Sequence, residues 1–270
     1  MSDARILYKF MPYDTLRLQS LIQGYFWFSQ ISDLNDPWEH QLKWPTQMTF
    51  DDFKAFVSHI SQLNGHKRRE EAIKAILAVA KQSADDQNET LNMQLVKWKE
   101  NFRELLERPL IFSASAAWNN PLMWAHYCNG HTGFCLGFDS AEILLGEHAD
   151  DAWYEMTYSD SRVDVIEEIH GNKSPSIEDT DNMVGKALVT KAHWWNYERE
   201  YRKLDWEPSK ENKIEINYSG LKEVLFGLKV SDESVQTIKS ILGIKNPDIC
   251  YYKVALSKYN NSFLFDRELV

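Results

Sequence analysis

The chain has 270 residues, 43% hydrophobic and 13% aromatic. That is enough apolar side chain for one large domain, or for one domain carrying an insertion. A net charge of −10 and a pI near 5.3 argue against non-specific binding to nucleic acid or anionic membrane. Three widely spaced cysteines supply no disulfide framework, and no apolar run is long enough to cross a bilayer. The opening MSDARILYKF holds no apolar signal segment, so a cytoplasmic protein is expected.

In chain order, RILYKF (5–10) reads as a strand. Asp14 reads as the cap of a helix that runs to Gly24, and YFWFS (25–29) as a second strand. Residues 50–107 read as a helical insertion. Phe53, Phe56, Val57 and Ile60 recur at helical spacing there, as do Ile73, Ile76 and Val79, and SADDQN (83–88) is the expected break. Strand signals return with LIFSAS (110–115), TGFCLGFD (132–139) and WYEMTYS (153–159). A short helix lies between the first two, with Asn120 as cap and Pro121 at its first position. The polar stretch 160–180 reads as loop-rich and 181–192 as helix. The tail offers KIEINY (213–218), EVLFG (223–227), a helix capped by Ser231 and ICYYKVAL (249–256). Strands and helices mix without strict alternation. That favours an α+β fold with a mostly antiparallel sheet, its strands near 5–10, 25–29, 110–115, 132–138 and 199–204 sharing one sheet.

Three clusters carry candidate chemistry. NDPWE (35–39) has the spacing of a helical capping box, with Asp36 as cap and Glu39 three residues on, and could also set Trp38 at a ligand mouth. His126, Cys128, His131 and Cys135 are metal-ligand types, but their spacing matches no standard zinc site, so no metal is expected. His131 reads better as a ligand-facing polar group. The third is HWWNYEREYRKL (193–204). As a strand it puts Glu198, Glu200 and Arg202 on one face, the two carboxylates roughly 7 Å apart. Paired carboxylates suit glycosyl chemistry, in which they stabilise an oxocarbenium-like cation. As a helix it aligns Trp194, Tyr197, Tyr201 and Leu204 in an apolar stripe and pairs Glu198 with Arg202. Periodicity leaves both open.

Several pieces together resemble the bacterial family known as domain of unknown function 2971: LYKF (7–10), FWFSQISDLNDPWE (26–39), FSAS (112–115), MWAHYCNGHTGFCLGFD (123–139), KAHWWNYEREYR (191–202) and LKEVLFG in the tail. More weakly, the order of parts is similar to the ADP-ribosyltransferase superfamily. In that superfamily a basic first strand, a Ser-bearing strand and a strand with a Glu pair build one NAD site. The resemblance implies a split, mostly antiparallel sheet and an NAD-dependent transferase of the toxin, effector or defence kind. NAD is then the substrate, with an acceptor still to be identified.

Carried over, Glu200 is the electrostatic catalyst and Glu198 the acceptor-side residue. Tyr8, Lys9, Ser113, Ser115, Trp38 and His131 contact NAD. Lys9 stands where the superfamily has His or Arg, and SAS replaces STS. Two alternatives stay open. One is a non-catalytic binding protein whose aromatic cleft gathers Trp27, Trp38, Trp124 and Trp194. The other is a metal-dependent hydrolase or nuclease built on Asp36, Glu39, Glu198 and Glu200.

Overall fold

A computed structural model describes residues 5–63, 66–145, 152–171, 177–206, 212–257 and 263–270. In chain order its elements begin with β1 (Ile6–Met11), α1 (Thr15–Gln23), β2 (Tyr25–Trp27), α2 (Phe50–Leu63), α3 (His66–Ala80) and α4 (Ala84–Glu107). Next come β3 (Leu110–Ser115), α5 (Pro121–Tyr127), β4 (Phe134–Asp139), β5 (Leu144–Leu145), β6 (Tyr154–Glu155) and β7 (Thr157–Ser159). Then follow α6 (Val165–Gly171), α7 (Ile177–Leu188), β8 (Thr190–Ala192), β9 (Glu200–Asp205) and β10 (Lys213–Ile216). The chain ends with β11 (Leu221–Phe226), α8 (Asp232–Lys245), β12 (Cys250–Leu256) and β13 (Phe265–Leu269).

The chain divides into two compact units. The first comprises residues 1–33, 109–156 and 194–270 and contains the main sheet. Its eight strands run β13-β12-β11-β4-β1-β3-β9-β6. Every neighbouring pair is antiparallel except β11 with β12. The fold is therefore α+β with a mostly antiparallel sheet.

Both faces of the central strands are covered, which is why LIFSAS and FCLGFD read as nearly continuous apolar runs. One face carries Leu7, Met11, Phe112, Leu136, Phe138 and Val224, and packs with Leu21 of α1 and Ile238 and Leu242 of α8. The other carries Tyr8, Phe10, Cys135, Leu225 and Val254, and packs with Met123 and Trp124 of α5. Phe26, Phe28 and Phe112 stack at 4.8–5.1 Å, which adds directional contact to the buried area.

β2 is not part of this sheet. It pairs with β10 in a three-stranded sheet ordered β2-β10-β5. The chain then bends so that only Ser29 bridges to Ile111, exchanging main-chain bonds of 2.8 and 2.9 Å. Strand β13, which the sequence pattern did not suggest, pairs with β12 at the edge of the main sheet.

The second unit comprises residues 34–108 and 157–193. The segment 50–107 is helical as expected, but it folds together with α6, α7 and the parallel pair β7–β8. Its core places Leu91, Leu95, Trp98, Phe102 and Leu106 of α4 on one buried stripe. Phe53 and Phe56 of α2 stack on Trp98 at 5.8 and 3.6 Å.

The expected break at 83–88 shrinks to a cap. The Ser83 hydroxyl accepts from the Asp86 amide and the helix starts at Ala84. The loop expected over 160–180 contains α6 and the start of α7, while 172–176 lie outside the described residues. The helix expected over 181–192 ends at Leu188, and β8 takes its last three residues.

NDPWE starts no helix either. The Asp36 carboxylate accepts the Trp38 amide at 2.9 Å in a turn, and His40 follows with a left-handed φ of 50°. That conformation interrupts helical continuation. No helix among the described residues is long and apolar enough to cross a membrane.

Candidate functional site

HWWNYEREYRKL adopts neither expected form throughout. Residues His193–Glu198 make a 3-10 turn, Arg199 takes a left-handed φ of 44°, and the strand starts at Glu200. Glu200 and Arg202 share a strand face, as the alternation requires. Glu198 is not on that strand: it ends the 3-10 turn, and the left-handed Arg199 breaks the alternation between it and Glu200.

Across β1, β3 and β9 the register forms a row. Tyr8 stands opposite Ser115, and Ser115 stands opposite Glu200. Ser113 is opposite Arg202 on the same face. Glu200 is 6% exposed, and Arg202 grips its carboxylate with Nε at 2.8 Å and Nη2 at 3.4 Å. Such a two-point hold fixes the orientation of both groups. The Ser115 hydroxyl donates to the main-chain carbonyl of Glu198 at 2.6 Å and accepts from the Ala117 amide at 3.0 Å. Ser115 thus ties β3 to the turn that precedes Glu200.

Glu198 is 2% exposed, and its carboxylate accepts the hydroxyl of Tyr127 at the end of α5. The same helix makes two more bonds to the turn. Its capping Asn120 donates to the Tyr197 carbonyl at 3.2 Å, and His126 Nδ1 lies 2.9 Å from the Tyr197 hydroxyl.

On the other side of the row, the Tyr8 hydroxyl donates to Glu223 of β11 at 2.8 Å. Arg267 of β13 donates to the second Glu223 oxygen at 2.6 Å and lies over the rings of Tyr252 and Trp118. Burial above all, then the Glu223 hydrogen bond and charge, raise the Tyr8 pKa well above the usual phenol value. Tyr8 is therefore a neutral donor.

Gly137 of β4 makes this contact possible. A Cβ there would lie 2.6 Å from Glu223 Cγ and 3.0 Å from Tyr8 Cε1. An isolated glycine in a strand pattern was the sequence signal for this close approach. Glu223, Arg267 and Tyr127 each lie far along the chain from the partners they meet, so local pattern offered no means of choosing them.

The remaining expected site residues are scattered. Lys9 projects from the face of β1 opposite Tyr8. Its ammonium donates to the Ser113 carbonyl at 2.7 Å and lies 4.5 Å from the Phe112 ring centre. Burial lowers its pKa to about 8, and the nearby Glu200 charge offsets part of that fall.

His131 sits in the turn after α5 with φ 72°, its ring edge-on to Phe265 at 5.7 Å. Its buried Nδ1 has no hydrogen-bond partner among the described residues, and burial, then Lys229, lower its pKa. Trp38 belongs to the second unit, where Arg162 lies over its ring at 5.6 Å.

Of the four tryptophans proposed for an aromatic cleft, Trp124 is fully buried and donates to the Trp118 carbonyl at 2.6 Å. It is a core residue. Among the described residues no three His, Cys, Asp or Glu side chains converge as a metal site. Glu39 pairs instead with Lys191 at 3.0 Å, both almost fully buried.

Comparison with curated proteins found no match, and neither did comparison with solved structures. The model of the family described as Protein of unknown function (DUF2971) matches residues 123–203. The resemblance drawn from the sequence therefore holds from within α5 into β9, and over that stretch the chain is similar to the DUF2971 family.

Proposed function

We propose that the protein is an NAD-cleaving ADP-ribosyltransferase-like enzyme with its centre on the Tyr8–Ser115–Glu200 row. The observation that carries this reading is the register. The first strand, the Ser-bearing strand and the Glu-bearing strand are adjacent, and these three residues face one another across them. The superfamily resemblance requires that juxtaposition, and three segments so far apart in sequence meet in it.

In this reading Glu200 stabilises the cation that forms at the ribose when nicotinamide leaves. Arg202 keeps its carboxylate aimed. Ser115 holds the turn at Glu198, and Glu198 accepts a proton from the incoming nucleophile. Tyr8, kept neutral, supplies a ring wall anchored by Glu223. The bond that breaks joins the ribose to nicotinamide. The bond that forms joins the same carbon to the acceptor oxygen, whose proton goes to Glu198.

The test is nicotinamide release from NAD by wild type and Glu200→Gln. The substitution keeps shape and removes charge, so release falls by a factor on the order of 100 to 1,000. Wild-type protein that releases no nicotinamide refutes the reading.

A second reading, a non-catalytic binding protein, is favoured by one observation. Arg202 already occupies both oxygens of Glu200, as it would in a structural ion pair. NAD binding without cleavage, unchanged by Glu200→Gln, would decide for it.

A further inference from the structure

We propose that Tyr127 is the positioning residue for Glu198, with α5 as the platform that sets the nucleophile side of the site. The proposal rests on the NAD-cleaving reading above and adds a residue to it. Glu198 lies outside the strand, in a 3-10 turn that a left-handed residue terminates. A carboxylate on such a turn is not aimed by a sheet ladder and needs its own support.

Helix α5 supplies three such contacts to the turn. Tyr127 donates its hydroxyl to the Glu198 carboxylate, Asn120 holds the Tyr197 carbonyl, and His126 meets the Tyr197 hydroxyl. α5 is itself fixed. Asn120 caps it by accepting from Leu122, and Met123 and Trp124 anchor it in the apolar cluster under β1 and β4. Tyr127 thus transmits the position of a helix anchored by two buried side chains, Met123 and Trp124, to a carboxylate 71 residues further along the chain. A phenol suits this role, since its hydroxyl moves only with its ring and the ring packs against the same cluster.

The experiment measures kcat and KM for nicotinamide release with NAD as the only added substrate. The proteins are wild type, Tyr127→Phe, Glu198→Gln and the double variant, and thermal melting is recorded for each. Tyr127→Phe keeps the ring and removes the hydroxyl. Its kcat falls by about 10- to 100-fold, the factor carried by one hydrogen bond to a charged group, and KM stays within about twofold.

The decisive comparison is the double variant, which is no slower than Glu198→Gln alone, because a positioning residue affects the reaction through the carboxylate it positions. A purely structural role predicts losses that multiply. Should Tyr127→Phe fold poorly, 3,5-difluorotyrosine at the same position keeps the shape, alters the hydroxyl, and changes kcat without changing KM.

Unchanged kcat in a well-folded Tyr127→Phe, or multiplicative losses in the double variant, overturn the proposal while leaving the NAD reading intact. Wild-type protein inert toward NAD overturns both.

Discussion

Gly137→Ala isolates the role of the close approach between β4 and β11. The added Cβ would stand 2.6 Å from Glu223 Cγ and 3.2 Å from Glu223 Oε1. The first of these atoms is near the root of the side chain, so the tip cannot simply swing aside. Glu223 must change rotamer, and it then gives up the Tyr8 hydroxyl at 2.8 Å and the Arg267 guanidinium at 2.6 Å. The Tyr8 bond to a carboxylate is worth roughly 1.5–3 kcal/mol. The Arg267 pair is partly exposed and adds less than about 1 kcal/mol, and residual overpacking adds about 1 kcal/mol. The expected loss is about 3 kcal/mol in urea unfolding. The Tyr8 phenol should also ionise at lower pH once the Glu223 contribution is gone, which ultraviolet titration reads directly.

The control is Glu223→Ala alone and combined with Gly137→Ala. Truncation at position 223 removes the two Glu223 atoms and leaves only Tyr8 Cε1 at 3.0 Å, so the combined variant should exceed the loss of Glu223→Ala by no more than about 1 kcal/mol. Gly137→Ala as stable as wild type, or a combined loss equal to the sum of the two singles, would refute this account of the site.

Lys9 makes a pH prediction. Its pKa is lowered to about 8 from an ordinary 10.5, so between those values the unfolded chain binds more protons than the folded one. The Lys9 contribution to stability is least favourable below about pH 8 and improves as pH rises toward 10.5. Relative to Lys9→Met, wild type should gain stability between pH 7.5 and pH 10 in paired urea titrations, and a difference independent of pH would contradict it. In the second unit, Lys191→Met removes a charge partner of the buried Glu39 carboxylate and should cost about 3–5 kcal/mol, whereas Glu39→Leu with Lys191→Met should restore most of the loss. Urea unfolding of the two variants checks both. Glu198→Gln should impair transfer to an acceptor more than hydrolysis of NAD, and an equal effect on both products would remove Glu198 from the nucleophile side.

The sequence by itself determined the elements whose signals are local. Asn120 and Pro121 start α5, Asp14 and Gly24 bracket α1, and Ser231 caps α8, because each cap is satisfied by atoms within a few residues. The apolar spacing of Phe53 and Phe56 in α2 and the alternation that puts Glu200 and Arg202 on one face were legible for the same reason.

Tertiary structure decided everything that depended on partners distant in sequence. It assigned β2 to a second sheet through β10 and gave β13 its strand identity through β12. It turned NDPWE into a turn whose Glu39 is needed by Lys191. It also took Glu198 off the strand that holds Glu200. A strand reading of HWWNYEREYRKL was half right, since β9 begins only where pairing with β3 begins, at Ser115 opposite Glu200. Before that point the backbone is shaped by bonds to Asn120, Tyr127 and Ser115. Those bonds span 71 to 83 residues, and no periodicity within the segment can encode a partner so far along the chain.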